Sequence, residues 1–182
     1  VLFRSAGIRE RVNSGLAYIP EDRLGVGLAP KLPVTHNAVM RSYRTLRQGP
    51  MLSWDRAKAF SQNLIERFGV KVGRVDDALA SLSGGNLQRL LLGRELSGNP
   101  SVVVAAQPTR GLDVAGVGAI QNLLVSQCDE GTAVLMISED LDELITLAHR
   151  ILVMSRGRIV GEFDPRQVSR AEIGEAMIGA HS

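Results

Sequence analysis

The residues best suited to chemistry stand at Leu82-Ser83-Gly84-Gly85-Asn86-Leu87-Gln88, a polar turn that runs into a helix-forming stretch over 87–96. Two adjacent glycines at a helix start let a ligand come close to the backbone, because no Cβ intervenes. The first N–H groups of a helix have no intrahelical acceptor, and the macrodipole adds about half a positive charge at that end. The Ser83 hydroxyl supplies one more donor. Such a turn is suited to an anion, most of all a phosphate. A plain serine-capped helix with a loose turn would use the same residues, so the rest of the chain decides.

Three other polar groups each follow a short apolar run. Glu21-Asp22-Arg23 follows 15–20, Gln107-Pro108-Thr109-Arg110-Gly111-Leu112-Asp113 follows 101–106, and Ser138-Glu139-Asp140 follows 132–137. The continuous β-branched runs at 101–106 and 132–137 read as strands buried on both faces. Ligands of open α/β sheets bind at the carboxyl ends of such strands. Gly25-Val26-Gly27-Leu28-Ala29-Pro30-Lys31 fails as a phosphate loop. That motif needs a second Gly five positions after the first, then Lys and Ser/Thr; here Pro30 and Leu32 stand in the way. The stretch reads as a flexible loop. His36, His149 and His181 show no metal-ligand spacing, and no metal site is expected.

The elements that must position these groups alternate. A helix is expected over 34–46 with Thr35 as cap, and a second after Ser53, its stripe Ala57, Phe60, Leu64, Ile65 and Phe68 stopped by Gly69. Helices follow over 116–126 and 141–149, a hairpin over 151–163 around Ser155-Arg156-Gly157, and a last helix capped by Ser169 and running through Met177. Strands alternating with helices mean an α/β fold with a mostly parallel sheet. The helical block from about 36 to 98 is inserted at one end of it. The expected parts are 1–35, a partial core; 36–98, a helical subdomain; 99–163, the rest of the core; and 164–182, a C-terminal helix and tail.

At 182 residues and 45% apolar content the chain has a real core. A net charge of +2 does not argue for nucleic acid, and the single Cys128 excludes an internal disulfide. No apolar run is long enough to span a membrane, so a soluble, cytoplasmic protein is expected. The opening Val1-Leu2-Phe3-Arg4-Ser5 fits neither a cap nor a turn, and the chain reads as a piece that starts inside a domain.

In this order the motifs resemble the ATP-binding cassette of ABC ATPases, over about residues 15 to 163. Leu-Ser-Gly-Gly-Asn-Leu-Gln looks like the family's signature, which reaches across a dimer to the γ-phosphate of ATP held by another cassette. Gln-Pro-Thr-Arg-Gly-Leu-Asp resembles the end of the Walker B strand and the D-loop. Tyr18-Ile19-Pro20-Glu21-Asp22-Arg23 looks like the second cassette of the two-cassette subunits of sugar and nucleoside importers. The resemblance implies a P-loop NTPase-like sheet, ATP and Mg²⁺ as cofactors, and a peripheral place on the cytoplasmic side of the cell membrane. It implies a second cassette, permease subunits and, indirectly, a solute-binding protein as partners, with no nucleic acid. The permease contact would be an intracellular helix set in a groove of 36–98.

Residue by residue, Ser83, Gly84 and Gly85 match the signature, with Asn86 and Gln88 beside them, and Asp113 matches the D-loop aspartate. Ala106 stands where an Asp supports Mg²⁺, and a methyl group cannot ligate a hard cation. Gln107 stands at the catalytic Glu position; an amide can orient a water but cannot take its proton at neutral pH. Glu21 stands at the Q-loop position and Glu139 at that of the switch His. A carboxylate near a γ-phosphate is repulsive by about 4 kcal/mol at 4 Å in an effective dielectric near 20. The phosphate loop would precede residue 1. An intact signature beside degenerate catalytic positions implies an asymmetric ATPase, the chain alone being inactive. Two alternatives remain open. One is a non-transport ABC ATPase of repair or translation, against which stand the compact helical block and the small net charge. The other is a nucleotide-dependent scaffold that never turns over.

Overall fold

The chain is described by a computed structural model covering residues 5–179; the readings at 1–4 and at His181 lie outside the described residues. A short helix α1 (Ile8–Asn13) leads into strand β1 (Leu16–Ile19), which Pro20 ends. Its edge is followed by a single π-helical turn, Arg23–Gly27, in place of the flexible loop expected there. Asp22 holds that turn by accepting bonds from the N–H groups of Leu24 and Gly25 at 3.2 and 2.8 Å.

The helix expected over 34–46 is shorter. Helix α2 covers Val34–Val39, and two tight turns then lead into a small hairpin, β2 (Arg47–Gln48) with β3 (Met51–Leu52). Thr35 is not its cap. The side chain is buried, and its hydroxyl donates to the carbonyl of Val75 at 2.7 Å. Pro33 takes the cap position, where a missing N–H costs nothing. Helix α3 (Trp54–Arg67) starts after Ser53, which makes no side-chain cap bond, and ends where Gly69 turns with φ +61°. Its Ala57, Leu64 and Phe68 are buried.

The central element is helix α4 (Gly84–Leu96). Every residue from Leu87 to Leu96 except half-buried Arg89 is buried, and Leu90, Leu91 and Leu92 have no exposed surface. A helix covered on nearly all sides is apolar nearly all round. Full burial of each leucine contributes about 1.5–3 kcal/mol. Gly93 is where α3 comes closest: a Cβ there would stand 2.9 Å from both Leu64 Cδ2 and Phe68 Cδ2. At the carboxyl end of α4, Glu95 is buried between Arg41 and Arg94 and pairs with both. Glu95 also accepts from the Tyr18 N–H at 3.4 Å, while Arg41 donates to the Leu16 carbonyl. The cluster therefore satisfies the free edge of β1, a row of groups that would otherwise be open to pairing.

Strands β4 (Val102–Ala106) and β5 (Ala133–Ile137) complete a parallel sheet in the order β1-β4-β5. Leu16 pairs with Val102, and Ala106 with Ile137, so all three carboxyl ends lie at one edge. Helix α5 (Val114–Asp129) connects β4 to β5 and is longer than the 116–126 expected. The expectation of strands buried on both faces fails for one face. Ala17, Ile19, Val103 and Ala105 are fully buried, whereas Tyr18, Val102, Leu135 and Ile137 are exposed on the other side. Leu90 and Leu91 of α4 and Ile120 and Leu124 of α5 share a core with the buried face.

The contacts divide the chain into two compact units after Ile137, inside the expected part 99–163. The second unit holds helix α6 (Leu141–Leu147), strands β6 (Ile151–Ser155) and β7 (Arg158–Phe163), and helix α7 (Arg170–Gly179). Arg156 and Gly157 both have positive φ, 48° and 76°, as a two-residue hairpin turn demands. Ser169 and Glu172 form a reciprocal cap at the start of α7: Glu172 accepts from the Ser169 N–H at 2.8 Å, and Ser169 Oγ from the Glu172 N–H at 3.3 Å. Its own core gathers Ile151, Val153 and Ile173.

Candidate functional site

Ser83 stands at the N-cap of α4 with extended backbone, and its side chain is exposed. It does not cap the helix. Its Oγ accepts a bond from Asn86 Nδ2 at 2.9 Å, and Asn86 Oδ1 accepts from the Lys71 N–H at 2.8 Å. The amide of Asn86 is thus oriented at both ends, and the Ser83 hydroxyl donates to no other group among the described residues. The N–H groups of Gly84, Gly85 and Asn86 carry no hydrogen bond to the rest of the described residues. Nothing lies within 4 Å of where a Cβ on Gly85 would stand. No packing within the described residues requires glycine there, so the open space is available to a ligand.

Gln88 differs from its neighbours. It is buried, and its Nε2 donates to the Pro108 carbonyl at 2.7 Å, so it ties α4 to the loop after β4 and is not part of the exposed turn. Its Oε1 is buried with no partner among the described residues.

The loop after β4 meets the loop after β1. Arg110 forms an ion pair with Glu21 across an open cleft of about 480 Å³ that Tyr18, Pro20, Asp22 and Val26 also line. Glu21 therefore presents a carboxylate whose charge is largely compensated. Arg23 reaches the same region. One guanidinium nitrogen lies 3.4 Å from where a Cβ on Gly84 would stand, and the other 3.8 Å from the corresponding point at Gly111. Burial draws its guanidinium below the ordinary arginine range, though it stays charged. The turn at the start of α4, the loop after β1 and the loop after β4 are therefore neighbours.

Ala106 ends β4 and is half-buried, as is Gln107. Gln107 adopts φ +48° while its N–H donates to the Ile137 carbonyl at 2.7 Å. A left-handed conformation in a residue with a Cβ costs about 1–2 kcal/mol, and such strain concentrates at functional sites. Asp113 is the N-cap of α5 and accepts from the Gly116 N–H at 2.7 Å. Glu139 belongs to the second unit and is exposed just before Asp140, which caps α6.

Sequence reasoning did not find Arg23, Arg110 or the strain at Gln107. Arg110 sits inside a quoted motif and Arg23 closes another, so position offered a hint, but partners so far apart in sequence offered none. Among the described residues no three His, Cys, Asp or Glu side chains are grouped to hold a metal. The methyl of Ala106 offers a Mg²⁺ ion no oxygen ligand. Burial, and then Asp129, push the Cys128 thiol up, away from a reactive thiolate.

Comparison with known proteins gives the chain its relatives. It is 44% identical over 179 residues to the glucose import ATP-binding protein TsgD13 of Haloferax volcanii, matching 96% of this chain and 32% of the relative. It is 34% identical to the guanosine import ATP-binding protein NupO of Bacillus subtilis, over 94% of this chain and 34% of that protein. A ribose import ATP-binding protein, RbsA 2, of Streptomyces avermitilis is also 34% identical, over 91% and 33%. The chain thus spans about a third of the length of the curated relatives it matches. No family model matches it. Among solved structures, the dimeric post-hydrolysis state of the ATP-binding cassette MJ0796, bound to ADP and Pi, aligns with a TM-score of 0.71 at 21% identity. The alignment covers 90% of this chain and 70% of that one. The fold is therefore that of an ATP-binding cassette, an α/β arrangement of the P-loop NTPase kind. No helix among the described residues is long and apolar enough to cross a membrane.

Proposed function

We propose that the chain is part of the ATP-binding subunit of an ABC importer for sugars or nucleosides, coupling ATP binding and hydrolysis to solute uptake. It is the second, C-terminal cassette of a two-cassette protein, peripheral to the cytoplasmic side of the membrane. Its partners are the other cassette, the permease subunits and, through them, a solute-binding protein. Kinship with glucose, guanosine and ribose import proteins supports the transport class.

The observation that carries the reading is the α4 turn: three unpaired N–H groups, a Ser83 hydroxyl that donates to no described residue, and open space at Gly85. ATP, when bound, supplies the anhydride bond whose cleavage drives transport. Toward its terminal phosphate the N–H groups of Gly84 and Gly85 and the hydroxyl of Ser83 act as donors fixed in place, the form of stabilisation that costs no reorganisation during reaction. The Asn86 side chain orients Ser83, and its backbone N–H adds a third N–H donor. Arg23 adds positive charge beside the turn. Asp113 holds the start of α5 and with it the loop that carries Arg110. The phosphate loop for this site belongs to the other cassette, and Mg²⁺ is held there as well, since Ala106 offers it no oxygen ligand.

The chain's own catalytic positions, Ala106, Gln107 and Glu139, are degenerate. Gln107 can hold a water but cannot take its proton, so hydrolysis at a site built on these residues is slow. That amide is also what would favour a scaffold that binds nucleotide and never turns over. ATP turnover by the full-length protein carrying Gly84→Asp tests the reading. Loss of turnover is expected; unchanged turnover contradicts it.

A further inference from the structure

Residues 43–56 carry three arginines against one aspartate, a surplus of +2 that equals the surplus of the whole chain. The three guanidinium groups bond only to neutral acceptors. Arg44 Nε donates to Tyr43 Oη at 3.0 Å, Arg47 Nη2 to the Pro50 carbonyl at 3.0 Å, and Arg56 Nη1 to the Arg47 carbonyl at 3.2 Å. Among the described residues none of the three has an acidic partner. Their charge is left for something outside the chain.

The same segment exposes apolar groups. Met51, at the tip of the β2–β3 hairpin, is 73% exposed, and Trp54 and Tyr43 are 47% and 43% exposed. Two of the three Tyr and Trp residues of the chain are therefore here. The segment is not loose. Gly49 at φ +62° closes the hairpin, the Ser53 N–H bonds to the Leu46 carbonyl at 3.0 Å, and Trp54 packs at a tilt against His36 with ring centroids 4.7 Å apart.

We infer that this hairpin and its flanking rings are a contact for a bilayer surface bearing anionic lipid headgroups. Unpaired arginines draw to anionic lipid, rings with an apolar body and a polar tip settle at the interface, and an apolar tip residue enters the acyl boundary. A nucleic acid would use the arginines and could stack a base on Trp54, but it has no use for the thioether of Met51, and His36 already covers part of the ring. The inference goes beyond the importer reading and does not rest on it, because none of these residues belongs to the α4 turn.

Trp54 is the only tryptophan of the chain and so reports on its own site. The full chain is titrated with vesicles of phosphatidylcholine alone and of phosphatidylcholine with phosphatidylglycerol. The expected result is co-sedimentation and a blue shift of Trp54 emission with the anionic vesicles only, suppressed by salt. Arg44→Gln and Arg47→Gln each weaken binding about fivefold. Met51→Ser weakens it without changing the salt dependence. Far-UV circular dichroism confirms that these surface variants stay folded. Equal binding to both vesicle types, no binding to either, or arginine variants that bind like the parent would overturn the inference. So would a Trp54 shift with single-stranded RNA in place of vesicles.

Discussion

Glu21, at the end of β1, is paired with Arg110 of the loop after β4. The pair joins the loops at the carboxyl ends of two neighbouring strands and compensates the Glu21 carboxylate. Both side chains are about half exposed or more, so the pair contributes at most about 1 kcal/mol to stability. Its larger effect is on anions. Arg110→Ala in the full-length protein leaves the Glu21 carboxylate bare and weakens ATP binding, and adding Glu21→Gln restores it. Isothermal titration of the single and double variants measures this. Equal affinity for Arg110→Ala and the parent would refute it.

The Arg41–Glu95–Arg94 cluster is the opposite case, because it is buried. Glu95→Ala leaves two guanidinium groups without their carboxylate and strips the Tyr18 N–H of its acceptor. Removing one partner of a buried pair costs about 3–5 kcal/mol. Urea unfolding followed by circular dichroism gives the value, and a loss below about 1 kcal/mol would show the cluster to be solvated.

Gln107 tests the proposal that the chain's own catalytic positions are degenerate. Gln107→Glu supplies a group that can accept a proton, at unchanged size and in the same left-handed backbone. Turnover of the full-length protein should rise or stay level. A tenfold drop would mean that the amide already has an essential role.

In the second unit, the side-chain hydrogen bond from Arg166, joined by its backbone N–H and its charge, holds the Asp164 carboxyl down to about 2. The ionised form is favoured in the folded chain. The contribution to stability is therefore present above the ordinary aspartate range near 4 and lost as pH falls through about 2. Carbon-detected NMR titration should place the midpoint near 2, and Arg166→Ala should bring it back toward the ordinary value. A parent midpoint near 4 would contradict the pairing.

How far the sequence revealed this molecule follows from the range of each signal. The β-branched run at 102–106 is local and reads as a strand, and the stripe from Ala57 to Phe68 reads as a helix that Gly69 stops. The Arg156-Gly157 turn was legible in the same way. The helix expected over 34–46 is shorter and is capped otherwise, because its polar side chains bond outside the helix. Thr35 is drawn to Val75, and Asn37 spends its amide on Ala29, Leu32 and Pro33. Burial on both sheet faces was inferred from composition, which cannot say which face the helices cover. At the site, Ser83 and the glycines were visible because their chemistry is their own, whereas Glu21 acquires its meaning from Arg110 and Gln88 from Pro108.

The central claim is that the α4 turn serves a phosphate held outside this chain. Gly85→Asp tests it more cleanly than Gly84→Asp, because Arg23 lies close to Gly84 and could pair with a new carboxylate there, whereas Gly85 faces open space. The measurement is ATP turnover by the full-length Gly85→Asp protein, with thermal unfolding as a check on the fold. The account expects an unchanged melting transition and loss of turnover, since a carboxylate would stand where the phosphate must approach. Turnover equal to that of the parent would contradict it.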